Sequence, residues 1–412
     1  MMKNKGFTLV ELVLVMGMFI VIMLVISSSF ERITRTVGQQ VKSAETSTEG
    51  IIGLEMLRSD LEHAGFGLFW SFTPAYAPSV NYNEVTVSPV QQGIDSTLFN
   101  DAVPRAVQVG LTAGGKIIDN SSNTNPEAAY LVIKSTRVAL HDTAKKWAYV
   151  DYKYTGTNTS VVRSWGGTAD DFVPKETVIT LNTTFTTTGI PAKVLAMAST
   201  TGWYYALGGP PPVQPSLDAF KPGDASQLFI AYGVGVPPDG SILRMPYNRA
   251  DYYIRRPAIS DATYKMPESC NPGTGILFKG VVQHADGKFA EYPLLNCVGD
   301  MQVDFELGDV ANETATSFQQ AQTFSLQNRQ TGTPADIRDQ LKNVYVYILA
   351  HEGKKDPNYT YPNNAIQVGD PARPTSSGKN RDNAWMSATF GPDWRNYRWK
   401  VYTIAVHPKN LD

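Results

Sequence analysis

From Phe7 to Ile26 the chain runs through twenty residues whose single charged side chain is Glu11. A helix of that length spans roughly 30 Å, the thickness of bilayer hydrocarbon. Beyond it Ile33, Val37, Val41, Ala44, Thr48, Ile51, Leu54, Leu57, Leu61 and Ala64 recur at steps of three or four, the spacing of one helical face. No proline interrupts residues 7–64, so the pattern predicts one helix of about 87 Å whose outer half lays a stripe on a globular head. After Gly65-Phe66-Gly67 the period changes to short runs rich in branched and aromatic residues, separated by Gly, Pro, Asn and Asp. These predict strands at 84–90, 129–134, 147–154, 176–186 and 226–233. Four prolines between Gly208 and Pro215, and Pro237-Pro238-Asp239-Gly240 after them, read as loop and turn, with a soft boundary near residue 245. Further on, Tyr252–Arg255, Gly275–His284, Met301–Leu307, Val344–His351 and Trp399–Val406 predict one antiparallel sheet. Thr333-Pro334-Ala335-Asp336 offers an N-cap, a first-turn proline and an early acid, predicting a short helix over 334–342. The fold class is therefore α+β, a long N-terminal helix packed on a large antiparallel, sheet-rich head. Its parts are a leader at 1–6, the helix at 7–64 with its membrane span at 7–26, a β-rich region at 65–245 and a sheet domain at 246–412.

Charge orients the first segment. Lys3 and Lys5 precede the apolar run with no acid beside them, which holds the start in the cytoplasm and sends the rest outward. An ordinary secretory signal has an apolar stretch of about 7 to 15 residues before a small-residue cleavage site, which Ser27-Ser28-Ser29 imitates. Such a signal has no use for a carboxylate in its core, where one costs roughly 2.5 to 3.5 kcal/mol. If the chain is cut after Gly6, Phe7 carries a new α-ammonium one helical turn from Glu11, and the buried acid gains a cation. On two helices side by side that cation can belong to the neighbour, so that assembly satisfies a charge the lone subunit leaves costly.

The 412-residue chain has a formal net charge of −2, with Lys and Arg scattered rather than gathered into a stripe, which argues against nucleic acid as a partner. Cys270 and Cys297 are its two cysteines, too few for a closed metal site built on thiolates. Outside the cytoplasm a single disulfide is their simplest use, worth about 3 to 4 kcal/mol on the chain-entropy estimate, with free thiols as the alternative.

Gly6-Phe7-Thr8-Leu9-Val10-Glu11 resembles the type IV prepilin motif, in which a prepilin peptidase cuts after the glycine and methylates the new N-terminus. Where many major pilins carry a helix proline, this chain offers Ser27-Ser28-Ser29 and later Gly38. Leu57-Arg58-Ser59-Asp60-Leu61 with Ala64-Gly65-Phe66-Gly67, then Tyr252-Tyr253-Ile254-Arg255, are similar to segments of the PilW family of minor pilins. So are Val298-Gly299-Asp300-Met301-Gln302-Val303, Val344-Tyr345-Val346-Tyr347-Ile348-Leu349, Tyr397-Arg398-Trp399-Lys400-Val401-Tyr402 and the final Pro408-Lys409-Asn410-Leu411. The resemblance implies a minor pilin that starts as a single-pass inner-membrane protein with a periplasmic head and moves into a surface pilus or its priming and tip complex. Its implied partners are the prepilin peptidase, other major and minor pilins, the inner-membrane assembly platform and membrane lipid. Two other readings stay open: a minor pseudopilin of a type II secretion system, and a membrane-anchored adhesin whose anchor is only an anchor. Residues 70–245 match nothing in the family, a place for ligand or partner contact or for covering a sheet face.

Little else in the chain points to chemistry. His63, His141, His284, His351 and His407 form no His-x-x-x-His pair, and neither a Walker-type phosphate loop nor a Gly-x-Ser-x-Gly elbow occurs. No enzymatic role, cofactor or metal is therefore expected. Asp356, Asn358, Asn363, Asn364, Asp370, Asp382 and Asn383 are oxygen-rich but lack the spacing of a calcium loop, and turns are their expected use. Trp203-Tyr204-Tyr205 and Trp394 to Trp399 are aromatic clusters, expected in a core or on a sheet face rather than against a ligand.

Overall fold

The computed structural model describes residues 8–411 apart from 74–83, 86–98, 112–117, 120–127, 153–161, 168, 186–190, 208–216, 236–242, 310–311, 321–333 and 372–378; of residues 28, 31–49, 111, 118–119, 184–185, 191, 217–218, 309, 312–320 and 334–336 it describes the backbone alone. Thr8 caps helix α1 (Leu9–Glu62), whose 54 residues run without a break past Ser27–Ser29 and Gly38. Its length is about 81 Å. The predicted stripe holds at its head end, where Leu54, Leu57, Leu61 and Ala64 are buried. Ile51 departs from it and is 60% exposed, because Gly50 and Gly53 take the inward positions there. The stripe residues from Ile33 to Thr48 lie outside the described side chains. Gly65, at φ +83°, turns the chain out of the helix, and its N–H donates to the Lys134 carbonyl at 3.0 Å.

Seventeen strands are described. Those before residue 245 are β1 (Ser71–Phe72), β2 (Val107–Leu111), β3 (Ile118–Asp119), β4 (Ala129–Ser135), β5 (Trp147–Tyr149), β6 (Thr177–Phe185), β7 (Pro191–Leu195), β8 (Tyr205–Ala206) and β9 (Leu228–Gly235). After it come β10 (Asn248–Arg256), β11 (Gly275–Val282), β12 (Phe289–Asp309), β13 (Asn312–Gln320), β14 (Leu341–Glu352), β15 (Ile366–Val368), β16 (Lys379–Arg381) and β17 (Arg398–Val406). Helices α2 (Pro334–Gln340) and α3 (Asn383–Phe390) accompany them. The strands form a smaller sheet ordered β1-β7-β6-β9-β5 and a larger one ordered β17-β14-β12-β11-β10-β4-β2. The five strands predicted after residue 245 are neighbours in the larger sheet, every pair antiparallel. That sheet also takes β2 and β4 from the earlier region through the β10–β4 pairing, so it crosses residue 245. Strand β12 is long enough, at 21 residues, to pair with β11 along its first half and β14 along its second. Of the expected strand at 84–90, residues 86–90 lie outside the described ones.

Period-two alternation along β14 explains how both faces of the larger sheet are used. Val344, Val346 and Ile348 join the main core with Leu57 and Leu61 of α1, while Tyr347 and Leu349 join a second cluster with Met386, Phe390, Trp394 and Trp399. A sheet buried on both faces reads as a continuous apolar run, which is what Val344 to Leu349 shows. The smaller sheet contributes Ile179, Leu181 and Leu195 to the main core and covers its other face with Phe172, Leu207 and Phe220.

Candidate membrane anchor and its joint with the head

The first nineteen residues of α1, Leu9–Ser27, have a mean hydropathy of 3.0, are long and apolar enough to cross a membrane, and are nowhere buried by the head. Gly6 and Phe7 lie outside the described residues. Glu11 is described, and it folds back on the helix start. The Thr8 N–H donates to Glu11 Oε2 at 2.9 Å and the Glu11 N–H donates to Thr8 Oγ1 at 3.3 Å, a reciprocal capping box. The Thr8-x-x-Glu11 spacing carries that signal in the sequence. It gives the carboxylate a partner on its own helix, the Thr8 N–H.

At the other end α1 is fixed to the head by three devices. Gly53 lies so close to β12 that a Cβ there would stand 2.1 Å from the Leu294 carbonyl oxygen, and one at Gly50 would stand 2.6 Å from Leu295 Cδ1. Asp60 meets the Lys279 ammonium at 2.5 Å and accepts a hydrogen bond from the Tyr252 hydroxyl. Tyr252 and Lys279 are register partners on β10 and β11, so one carboxylate ties the helix to two strands. Burial lifts the Asp60 pKa above its ordinary value, with Lys279 opposing, and burial with the Asp60 charge pushes the Tyr252 hydroxyl well above its own. Lys409 forms the third device, its N–H on the Glu62 carbonyl at 3.1 Å and its ammonium on the Glu62 carboxylate at 3.0 Å.

In comparisons with known proteins, no family model, no curated protein and no solved structure matches this chain.

Cys270 and Cys297 are joined in a disulfide, with Cα atoms 4.9 Å apart across a sequence separation of 27. The bond holds β12 two residues beyond Leu295, beside the strand segment on which Gly50 and Gly53 rest. The neighbouring Asn271 N–H donates to His351 Nε2 at 2.9 Å. Burial depresses the His351 pKa to about 4 and that of His284 to about 3, so both are neutral structural residues at physiological pH. Histidines 63 and 141 serve their own helix ends, His63 Nδ1 at 2.8 Å from the Ser59 carbonyl and His141 Nδ1 accepting from the Ala144 N–H at 3.3 Å.

The oxygen-rich stretch does the work of turns. Asp356 accepts from the Asn358 N–H at 3.0 Å and from Arg398 at 2.9 Å, and Asp382 caps α3 through the Trp385 N–H at 2.8 Å. Trp203, Trp394, Tyr397 and Trp399 of the aromatic clusters are buried, and Tyr204 and Tyr205 are partly buried.

A buried ionic network escaped the sequence reading. Glu84 accepts from Lys134 at 2.7 Å, from Arg249 at 3.0 Å and from the Tyr247 hydroxyl at 2.6 Å, and Arg249 is also paired with Asp251 at 2.7 Å. Burial alone would raise the Glu84 pKa, but Lys134 and Arg249 outweigh it and hold the group below its ordinary value. These partners stand as far as 165 positions apart, and nothing local in the chain marks them.

Proposed function

We propose that this chain is a pilin-like minor subunit of a type IV pilus or a closely related filament, cut after Gly6 and held in the inner membrane by the start of α1 until assembly. The observation that carries the reading is a carboxylate, Glu11, on an exposed apolar helix that is long enough to span a bilayer and continuous with a helix end locked into a folded head. Inside lipid the capping box leaves the negative charge itself uncompensated. An amine at Phe7, four positions before Glu11, supplies the compensation. Within a filament the same carboxylate pairs with the amine of an adjacent subunit, so that a membrane-buried charge favours assembly over the isolated subunit. Energy for extraction from the membrane comes from a separate assembly machine.

Mass spectrometry of the mature protein from its native membrane tests this. The expected N-terminus is Phe7 bearing one added methyl group. A product that begins at Met1, or beyond Ser29, overturns the reading.

A further inference from the structure

Five stretches of the chain, beginning at Asn120, Asn158, Asn182, Asn312 and Asn358, carry the pattern Asn-x-Ser or Asn-x-Thr with no proline in the middle, the acceptor sequence of N-linked glycosyl transfer. The fold separates them. The first two lie outside the described residues. Asn182 is on β6, paired with Val194 of β7 on one side and Phe229 of β9 on the other, and Asn312 is the first residue of β13, opposite Asp309 of β12. A transferase would have to open a ladder to reach either. Asn358 stands instead in the loop between β14 and β15, at the third position of a tight turn whose second residue is Pro357. The Tyr359 N–H closes that turn on the Asp356 carbonyl at 3.0 Å, and proline followed by asparagine is a residue order such turns favour. Two backbone bonds fasten the loop on either side, from the Asp356 N–H to the Asn396 carbonyl at 2.8 Å and from the Tyr361 N–H to the Arg395 carbonyl at 2.7 Å. Between them Tyr359 is half-buried, with the Arg398 guanidinium 4.5 Å from its ring centre, while Asn358 and Thr360 are exposed. Both side chains that a transferase must read are therefore open to solvent on a loop whose position is fixed.

We propose that Asn358 is a site of N-linked glycosylation, the donor being a glycan carried on a polyprenyl pyrophosphate. Asn358 Nδ2 bonds to the anomeric carbon of the first sugar as the bond from that carbon to the pyrophosphate oxygen breaks. The lipid pyrophosphate leaves with the electron pair, the amide nitrogen gives up one proton to a base of the transferase, and nothing is oxidised or reduced. A surface turn has room for the bulky, solvated product, and presenting it to an enzyme disturbs no sheet pairing. The inference rests on the proposed placement of the head outside the cytoplasm, where the proposed anchor tethers it to the same membrane that holds the donor lipid.

Protein purified from its native membrane, digested with trypsin and sequenced by electron-transfer fragmentation, which leaves side-chain bonds intact, tests it. The tryptic peptide 356–379 contains the Asn358 pattern and no other. The expected result is a glycan mass on Asn358, lost in Asn358→Gln and in Thr360→Ala and retained in Thr360→Ser, because the pattern requires a hydroxyl at its third position. The parent peptide decides the matter by itself if a variant fails to accumulate. A parent peptide without added mass, a mass located on Thr360 or another residue, or a Thr360→Ala peptide that keeps the mass on Asn358 overturns the proposal. An N-terminus at Phe7 beside an unmodified Asn358 refutes glycosylation alone, and a glycosylated Asn358 beside an N-terminus at Met1 refutes the filament-subunit reading alone.

Discussion

Replacing Gly53 by alanine should destabilise the head, although the same change in an open helix stabilises by about 1 kcal/mol. The added Cβ would meet the Leu294 carbonyl oxygen at 2.1 Å, its carbon at 2.7 Å and its Cα at 2.9 Å, all of them backbone atoms of β12. That strand is paired with β11 and held by the Cys270–Cys297 disulfide, so it cannot withdraw. Helix α1 must move outward by about 1 Å or more to restore van der Waals contact, loosening Leu57, Leu61 and the Asp60 ion pair. Overpacking of this kind costs about 1–3 kcal/mol, and contact with backbone places the case near the upper end. Net of the helix gain, the loss is about 2 kcal/mol, a fall in melting temperature of roughly 2–3 °C for a chain of this size. Gly50→Ala is the control, since its Cβ would meet only the end of the flexible Leu295 side chain, at 2.6 Å, and should be neutral or slightly stabilising. Thermal unfolding followed by circular dichroism reads both variants. If Gly53→Ala melts at or above the parent temperature, or Gly50→Ala falls as far, the close seating of α1 on β12 is wrong.

Removing the Asp60 carboxylate by Asp60→Ala leaves the Lys279 ammonium, 1% exposed, without its anion and should lower stability by about 3–5 kcal/mol, seen as a reduced urea midpoint at unchanged slope; a loss under about 1 kcal/mol would refute it. Cys270→Ser should cost about 3 kcal/mol in the same assay, and an equal midpoint for parent and variant under non-reducing conditions would show that the bond does not form. Glu84 has a folded pKa below its unfolded 4.5, so the stability it adds is complete above about pH 4.5 and is lost as pH falls through the lower folded value. Glu84→Gln should therefore be less stable at neutral pH and show a shallower loss on acidification; parallel acid limbs for parent and variant would contradict the assignment.

The parts of the fold that were legible before the structure are those with a local period. The twenty-residue apolar run, the α2 proline start and the alternating strands from Tyr252 onward each announce themselves within a few residues, and all lie where the pattern put them. Ile51 was misplaced because apolar spacing alone cannot show that two glycines allow a helix to sit closer to a strand than any side chain would. Strand β7 was missed because Pro191-Ala192-Lys193 carries turn and surface residues, and the first half of β12 because Pro293 falls inside it. At the candidate site, Glu11 stood out through its charge, while its capping partner Thr8 could have been found from the Thr-x-x-Glu spacing. Asp60 and Lys279 look like ordinary solvated charges until tertiary packing brings them together, and only the fold can supply that.

The clasp between Glu62 and Lys409 joins residues 347 positions apart. A ribosome that has just finished α1 must add all of those residues before the clasp can close, roughly 20–70 s at ordinary rates of synthesis. For most of that interval, until β12 at Phe289–Asp309 has been made, Leu54, Leu57 and Leu61 face the surroundings without the strand they rest against, and β14 and β17 follow later still. The growing polypeptide therefore passes through a stage in which its first-made element is the last to be sheltered, and it is then that a chaperone has most to protect.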